Sequence, residues 1–229
     1  MQPIATISLY FTLALFSCSC SALQLKHVKA EGIQPGCART ELTAGNKRFV
    51  DGGMDSHAWQ QERVVHTGEF GQSPSVGVLS CSDSRVPVEI IFDMGVGDLF
   101  VSRSAGGIDN AEATATFEYG FKALGMNSIL VLGHTKCGAV QATLDGTPLP
   151  GTMSVLSAAI YPAIAELMKN PTKMSASELA IAAEEANTRW QMAQILKRSA
   201  ILREAVTKGE LTMLCAIYDV NSGSVRFLD

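Results

Sequence analysis

Three side chains with affinity for soft divalent metals stand in two short motifs. Cys81 opens Cys-Ser-Asp-Ser-Arg, and His134 and Cys137 fall within Gly-His-Thr-Lys-Cys-Gly. Two thiolates and one imidazole are donors that zinc takes in a tetrahedral shell. The His-x-x-Cys spacing supplies two of them from one turn of chain, while Cys81 arrives from elsewhere. Structural zinc is usually held by two close pairs. One pair plus a single cysteine gives three protein ligands and an open fourth position, the pattern of catalytic zinc. Asp83 and Arg85 follow Cys81 at alternate positions, so in extended chain all three share a side. A carboxylate set against a guanidinium is held ionised and oriented. Asp83 could then accept a hydrogen bond from an oxygen nucleophile at the metal, or bind the metal itself as a fourth ligand and shut the site. Each residue also has a plainer reading: the cysteines and His134 as core residues, Asp83 and Arg85 as a loop ion pair, Gly106-Gly107 as a turn. His27, His57 and His66 have no partner at metal spacing and read as surface residues.

The elements that would position these groups can be read from pattern. Short apolar runs bounded by turn formers, at 76–79, 98–101, 128–132 and 212–218, read as buried strands. Helices are expected at 40–50, at 111–123 with Asp109 as N-cap, at 154–169, at 177–197 with Trp190 in the core, and from a Ser199 cap to Gly209. Residues 51–73 are polar and turn-rich. Asn221-Ser222-Gly223 marks a hairpin leading to a last edge strand that ends near Leu228. Unalternating strands separated by helices imply a parallel sheet covered on both faces. Functional groups in such sheets gather beyond the carboxyl ends of the strands, and both motifs fall at such ends.

The bulk numbers allow a globular protein. The chain has 229 residues, 47% hydrophobic and 17% charged, with a net charge of −4. No Lys/Arg cluster suggests nucleic acid as a partner. The first 22 residues carry no charged side chain, and 7–16 is an apolar stretch too short to span a bilayer. It reads as the core of a secretory signal over 1–22, followed by an extension at 23–37 and a domain at 38–229. Export to the periplasm or outside the cell is therefore expected; a cytoplasmic location is the alternative, as is a lipid anchor. An imperfect lipoprotein box at Leu15-Phe16-Ser17-Cys18 would give membrane contact only if Cys18 were lipidated. The six cysteines are not spaced as a disulfide framework, and Cys215 reads as a small core residue.

Taken together, the CSDSR and GHTKCG motifs resemble the β-carbonic anhydrases. The likeness extends to GNKRF at 45–49, GDLFVSRSAGG at 97–107, the Glu118-Tyr119 pair and the tail from Ser199 to Tyr218, covering roughly 38–228. It implies an α/β fold: a four-stranded parallel sheet with an added antiparallel edge strand, flanked by helices. It also implies a homodimer or higher oligomer with the active site at the subunit interface. The expected activity is reversible hydration of carbon dioxide to bicarbonate through hydroxide generated at one zinc per subunit. Carried over by position, Cys81, His134 and Cys137 bind the metal and Asp83 and Arg85 form a catalytic dyad. The Gly138 amide lies beside substrate, Gln72 hydrogen-bonds it, and Phe100 and Tyr119 line its apolar pocket. A subset of the family has tryptophan three residues before the first zinc cysteine; Val78 stands there, so an open site is expected. Carbonyl sulfide or carbon disulfide hydrolysis, and a non-catalytic zinc scaffold, are the rival readings.

Overall fold

A computed structural model of the chain describes residues 33–55, 59–169 and 174–229. The signal expected at 1–22, most of the 23–37 extension, His27 and His57 lie outside the described residues.

The strands are β1 (Val76–Cys81), β2 (Leu99–Ser104), β3 (Ser128–His134), β4 (Thr212–Tyr218) and β5 (Val225–Leu228), in spatial order β2-β1-β3-β4-β5. The first four are parallel and β5 joins β4 antiparallel. Every residue of β1 is buried, which is why VGVLSC shows no polar alternation. Successive residues nonetheless serve opposite faces. Val76, Val78, Leu130, Leu132 and Ala216 pack on one side, against Leu42 of α1 (Ala38–Asp51) and Ile91 of α3 (Val88–Ile91). Leu79, Ile129, Val131 and Ile217 pack on the other. Their partners there are Phe117 of α4 (Ala111–Ala123), Ile195 of α7 (Ala176–Arg198) and Leu202 of α8 (Ala200–Thr207).

The connections place the site. The chain leaves β1 to one side to form β2, then crosses to form β3 on β1's other flank. The carboxyl ends of β1 and β3 therefore flank the point where strand order reverses, the crevice in which open α/β sheets bind ligands. Cys81 ends β1 and His134 ends β3. A third apolar cluster closes around this end. Cys81 and Cys137 pack there with Val140 of α5 (Gly138–Leu144), Ile160 and Ile164 of α6 (Ser154–Lys169), and Ala183 of α7.

The GNKRF motif proves to be a fastening for α1. Asn46 donates to the carbonyls of Ile91 (3.1 Å) and Gly223 (2.8 Å) and accepts from the Val225 amide (2.8 Å). Arg48 pairs with the buried Asp93. Gly45 faces the chain so closely that an added Cβ would lie 1.8 Å from the Phe92 carbonyl oxygen.

Several expected boundaries change. A helix, α2 (Gln61–Phe70), occupies the segment read as turn-rich. None of its residues is buried, so it carries no apolar face to betray it. It is held to the body by Arg63, which donates to the Val96 carbonyl (2.7 Å) and pairs with Asp98. Asn110, not Asp109, caps α4, accepting from the Ala113 amide at 2.7 Å. Asp109 is buried instead, accepting from Thr114 (2.7 Å) and Arg198 (3.0 Å). β2 and β3 run on to Ser104 and His134, because strand pairing continues past the apolar run that signalled each. α7 begins at a capping box made by Ser175 and Glu178. Its buried face is largely polar (Glu184, Asn187, Thr188 and Gln191), while Trp190 is only half-buried.

Gly45→Ala tests the α1 contact. Helix propensity alone favours alanine by about 0.5–1 kcal/mol. The clash with Phe92 should outweigh this and lower stability by about 1–3 kcal/mol, read from urea denaturation.

Candidate metal centre

The Sγ atoms of Cys81 and Cys137 and a ring nitrogen of His134 lie within 4.8 Å of one another, and all three residues are buried. Bonds of about 2.0–2.3 Å in a tetrahedral shell would set such donors roughly 3.3–3.8 Å apart, a spacing compatible with this grouping. The three residues line a cavity of about 10 Å³, the scale of a single bound atom or water.

The protonation pattern fits a cation. His134 Nδ1 lies 2.9 Å from the Thr135 carbonyl, to which it donates; in the neutral ring this leaves Nε2 as the lone pair open to a cation. Nε2 is buried and makes no well-formed hydrogen bond, the nearby Cys81 sulfur acting on it chiefly by its charge, a condition that opposes burial unless something satisfies it. The two sulfurs share a proton. The hydrogen bond with Cys137 lowers the Cys81 pKa to about 4, against the opposing effect of burial, with help from His134 and from the Asp83 and Gly106 amides. Cys137 is pushed far up by that same hydrogen bond, by burial and by the charge on Cys81. Burial works to lower the His134 pKa, and the Cys81 sulfur, the Thr135 carbonyl and the Asp83 charge together more than reverse it. A divalent cation replaces the shared proton and relieves all three groups together.

Both ligand loops are braced. Arg103 at the end of β2 donates to the carbonyls of Cys81 (2.9 Å) and Asp83 (2.6 Å). Gly106 lies in a 3-10 turn (Ala105–Gly107) with φ of 77°, and its amide donates to Cys81 Sγ at 3.3 Å. The glycine pair read as a simple turn is thus packed on a metal ligand. On the other loop, Lys136 takes a left-handed φ of 57°. Its carbonyl accepts from Arg85 (3.1 Å), which ties the two loops across the mouth. Behind them the buried Glu184 accepts from the Cys137 amide at 3.2 Å, and burial raises its pKa.

Asp83 and Arg85 form a bidentate pair. Oδ1 accepts from Arg85 Nε (2.9 Å) and from the Arg85 amide (2.9 Å), and Oδ2 from Nη2 (2.7 Å). The hydrogen bonds from Arg85 hold the Asp83 carboxyl well below the usual carboxylate range. Oδ2 stands 4.0 Å from His134 Nε2, at the mouth but outside the three-donor set. Gly138 is the first residue of α5, so its N–H has no intrahelical acceptor.

Gln72, Phe100 and Tyr119 are not brought to the metal donors within one chain. Phe100 pairs with Gly77, four residues before the Cys81–Ser104 pair, or about 13 Å along the strand. Tyr119 on α4 packs near it, with ring centroids 6.2 Å apart, and is 57% exposed. Gln72 precedes β1 and is exposed. All three belong to the amino end of the sheet. Glu184, Asn187 and Gln191, by contrast, back the metal centre without having been singled out in the sequence. Their signal was polar residues at helical spacing (184, 187, 191) where an apolar face would be expected.

An α/β sheet presenting three soft donors and a clamped carboxylate at its switch point defines a zinc-dependent enzyme. Comparison with known proteins gives its kind. The model of the carbonic anhydrase family matches residues 76–225. Carbonic anhydrase 2 of Mycobacterium tuberculosis H37Rv is 33% identical over 201 residues, covering 85% of this chain and 93% of its own length. The carbonic anhydrase of Mycolicibacterium smegmatis is 32% identical over 196 residues, covering 84% and 92%. Among solved structures, the β-carbonic anhydrase CcaA superposes with a TM-score of 0.67 at 28% identity, covering 85% of this chain and 89% of that one. CafA of Aspergillus fumigatus gives 0.68 at 26% identity, covering 81% and 88%. The chain belongs to the β-class carbonic anhydrase family.

Because Cys137 keeps its proton in the metal-free protein, zinc binding near pH 7.5 should release about one proton per ion or more. Affinity should therefore rise with pH. Isothermal titration in buffers of different ionisation enthalpy reads the proton count; uptake with no proton release would contradict the shared-proton arrangement.

Proposed function

We propose that this enzyme hydrates carbon dioxide reversibly at the outer side of the Cys81–His134–Cys137 centre, with Asp83 as the residue that orients the attacking oxygen. The observation that carries this is the carboxylate's placement: at the mouth, 4.0 Å from His134 Nε2, with both oxygens fixed by Arg85. Zinc, when bound, supplies the Lewis acidity that makes hydroxide available from water near neutral pH. The chain's own groups do the rest. Asp83 stays ionised throughout the working range because Arg85 stabilises its charge, so it accepts a hydrogen bond and does not compete as an acid. Arg85 holds that acceptor still and keeps the two ligand loops together through the Lys136 carbonyl. The unpaired Gly138 amide is available to a substrate oxygen. Among the described residues His66 and His134 are the histidines. His134 is committed to the metal and His66 stacks on Phe70 of α2, so the released proton leaves through water to buffer.

The apolar wall comes from a second copy of the chain. Gln72, Phe100 and Tyr119 lie together at the wrong end of their own sheet and can serve a pocket only by meeting a partner's metal centre. Exposed apolar residues around them support association: Trp59, Val64, Val65 and Phe70 near α2, and Tyr119 itself.

Asp83→Asn should retain zinc by elemental analysis yet lose about 10²- to 10³-fold in stopped-flow carbon dioxide hydration; normal turnover would remove Asp83 from the mechanism. For the shared pocket, Cys137→Ala and Gln72→Ala chains are co-expressed and the mixed oligomer isolated. If Gln72 serves the partner, each heterodimer regains one intact site and outperforms both parents. Activity no better than the parents' would place Gln72 in its own subunit's site or in none.

A further inference from the structure

We propose that Asn187 and Gln191 are positioning residues that hold a backbone amide on the Cys81 sulfur and thereby set how strongly that thiolate binds the metal. The inference deepens the zinc reading of the site and rests on it. Four hydrogen bonds run in one direction from the back of α7 to the ligand. The Asp109 amide donates to Gln191 Oε1 at 2.9 Å. Gln191 Nε2 donates to Asn187 Oδ1 at 2.9 Å. Asn187 Nδ2 donates to the Gly106 carbonyl at 2.9 Å. The Gly106 amide donates to Cys81 Sγ at 3.3 Å.

The direction is not free to reverse. A backbone N–H can only donate, so Asp109 fixes which end of the Gln191 side chain is oxygen. Gln191 then fixes Asn187, and Asn187 presents its nitrogen to Gly106. Gly106 needs such a hold. Its φ of 77° belongs to glycine, and a glycine has more conformations to lose than any other residue. Asn187 and Gln191 are 4% and 1% exposed. Packing alone would be served by apolar residues, which carry no risk of unpaired polar atoms. Buried amides at these positions make sense if orientation is what they supply. An N–H directed at a metal-bound thiolate withdraws charge from it, and partners of this kind outside the coordination shell tune metal sites strongly.

The test uses the full chain, stripped of metal and reloaded with cobalt(II) or zinc. Asn187→Leu removes the donor to Gly106. Gln191→Met leaves Asn187 in place but takes away the group that orients it. Ile195→Val, a buried α7 change away from the relay, is the control for general loosening. Wild type should show a sulfur-to-cobalt charge-transfer band. In both relay variants the band should move to lower energy, because the sulfur regains the charge that the amide withdrew, and zinc affinity by chelator competition should fall about 10- to 100-fold, because the sulfur is no longer held in its ligating orientation. The control should lower the melting temperature with band and affinity unchanged. A wild-type protein without the band would overturn the metal-centre reading itself. A wild-type band that stays put in folded relay variants, with unchanged affinity, would overturn only the relay. Failure of both relay variants to fold would overturn it too, in favour of a purely structural role.

Discussion

The structure depends on the crowding of two sulfurs and one imidazole nitrogen at a buried point. Left to themselves these groups conflict: one sulfur must lose its proton while the other keeps one, and His134 Nε2 is sealed from water with no well-formed hydrogen bond. Burying polar atoms in this way opposes folding unless a cation completes the arrangement. The rest of the molecule can be understood as what keeps the three donors from relaxing apart.

Three supports act from different directions. The sheet brings Cys81 and His134 to adjacent strand ends, and backbone pairing fixes their relative height. Arg103 and Arg85 hold the mouth, the first to the carbonyls of the Cys81 loop and the second across to Lys136. Behind the donors, α7 offers a polar face in place of an apolar one, with Glu184 on the Cys137 amide and Asn187 on Gly106. The close approach of α7 is visible at Gly133, where an added Cβ would lie 2.1 Å from Thr188 Oγ1. A side chain there would push the helix, and its polar groups, off the metal loops.

What the sequence reveals depends on which signal each feature leaves. Strands buried on both faces and motifs at their carboxyl ends leave strong ones, so the parallel sheet, the antiparallel edge strand and the three donors were all legible. Features held by single polar contacts leave little. α2 has no buried face and hangs on Arg63, so periodicity had nothing to detect. Asp109 and Asn110 are both acceptable caps, and only the burial of Asp109 against Arg198 and Thr114 decides between them. Glu184, Asn187 and Gln191 looked like ordinary polar helix positions because their meaning lies in residues 47, 81 and 82 positions away. The family likeness named Gln72, Phe100 and Tyr119, yet no reading of one chain could show that its own fold carries them away from its own metal.

The clamp on Asp83 supports one of the two roles open to that carboxylate. To enter the coordination shell, Asp83 would have to turn from Arg85 and give up charge-assisted bonds of 2.9 and 2.7 Å, each stronger than a neutral hydrogen bond. It would also leave the guanidinium with the Lys136 carbonyl but without its carboxylate. Protonation offers no easier route, since Arg85 keeps the carboxyl ionised well into acid. Zinc held by two thiolates carries no net charge over its three protein ligands, so its pull on a further anion is weaker than that of a site built from imidazoles. The balance favours a carboxylate that remains with its arginine and leaves the fourth position to oxygen from solvent. The pair's bidentate geometry thus carries functional information that an ordinary surface ion pair would not.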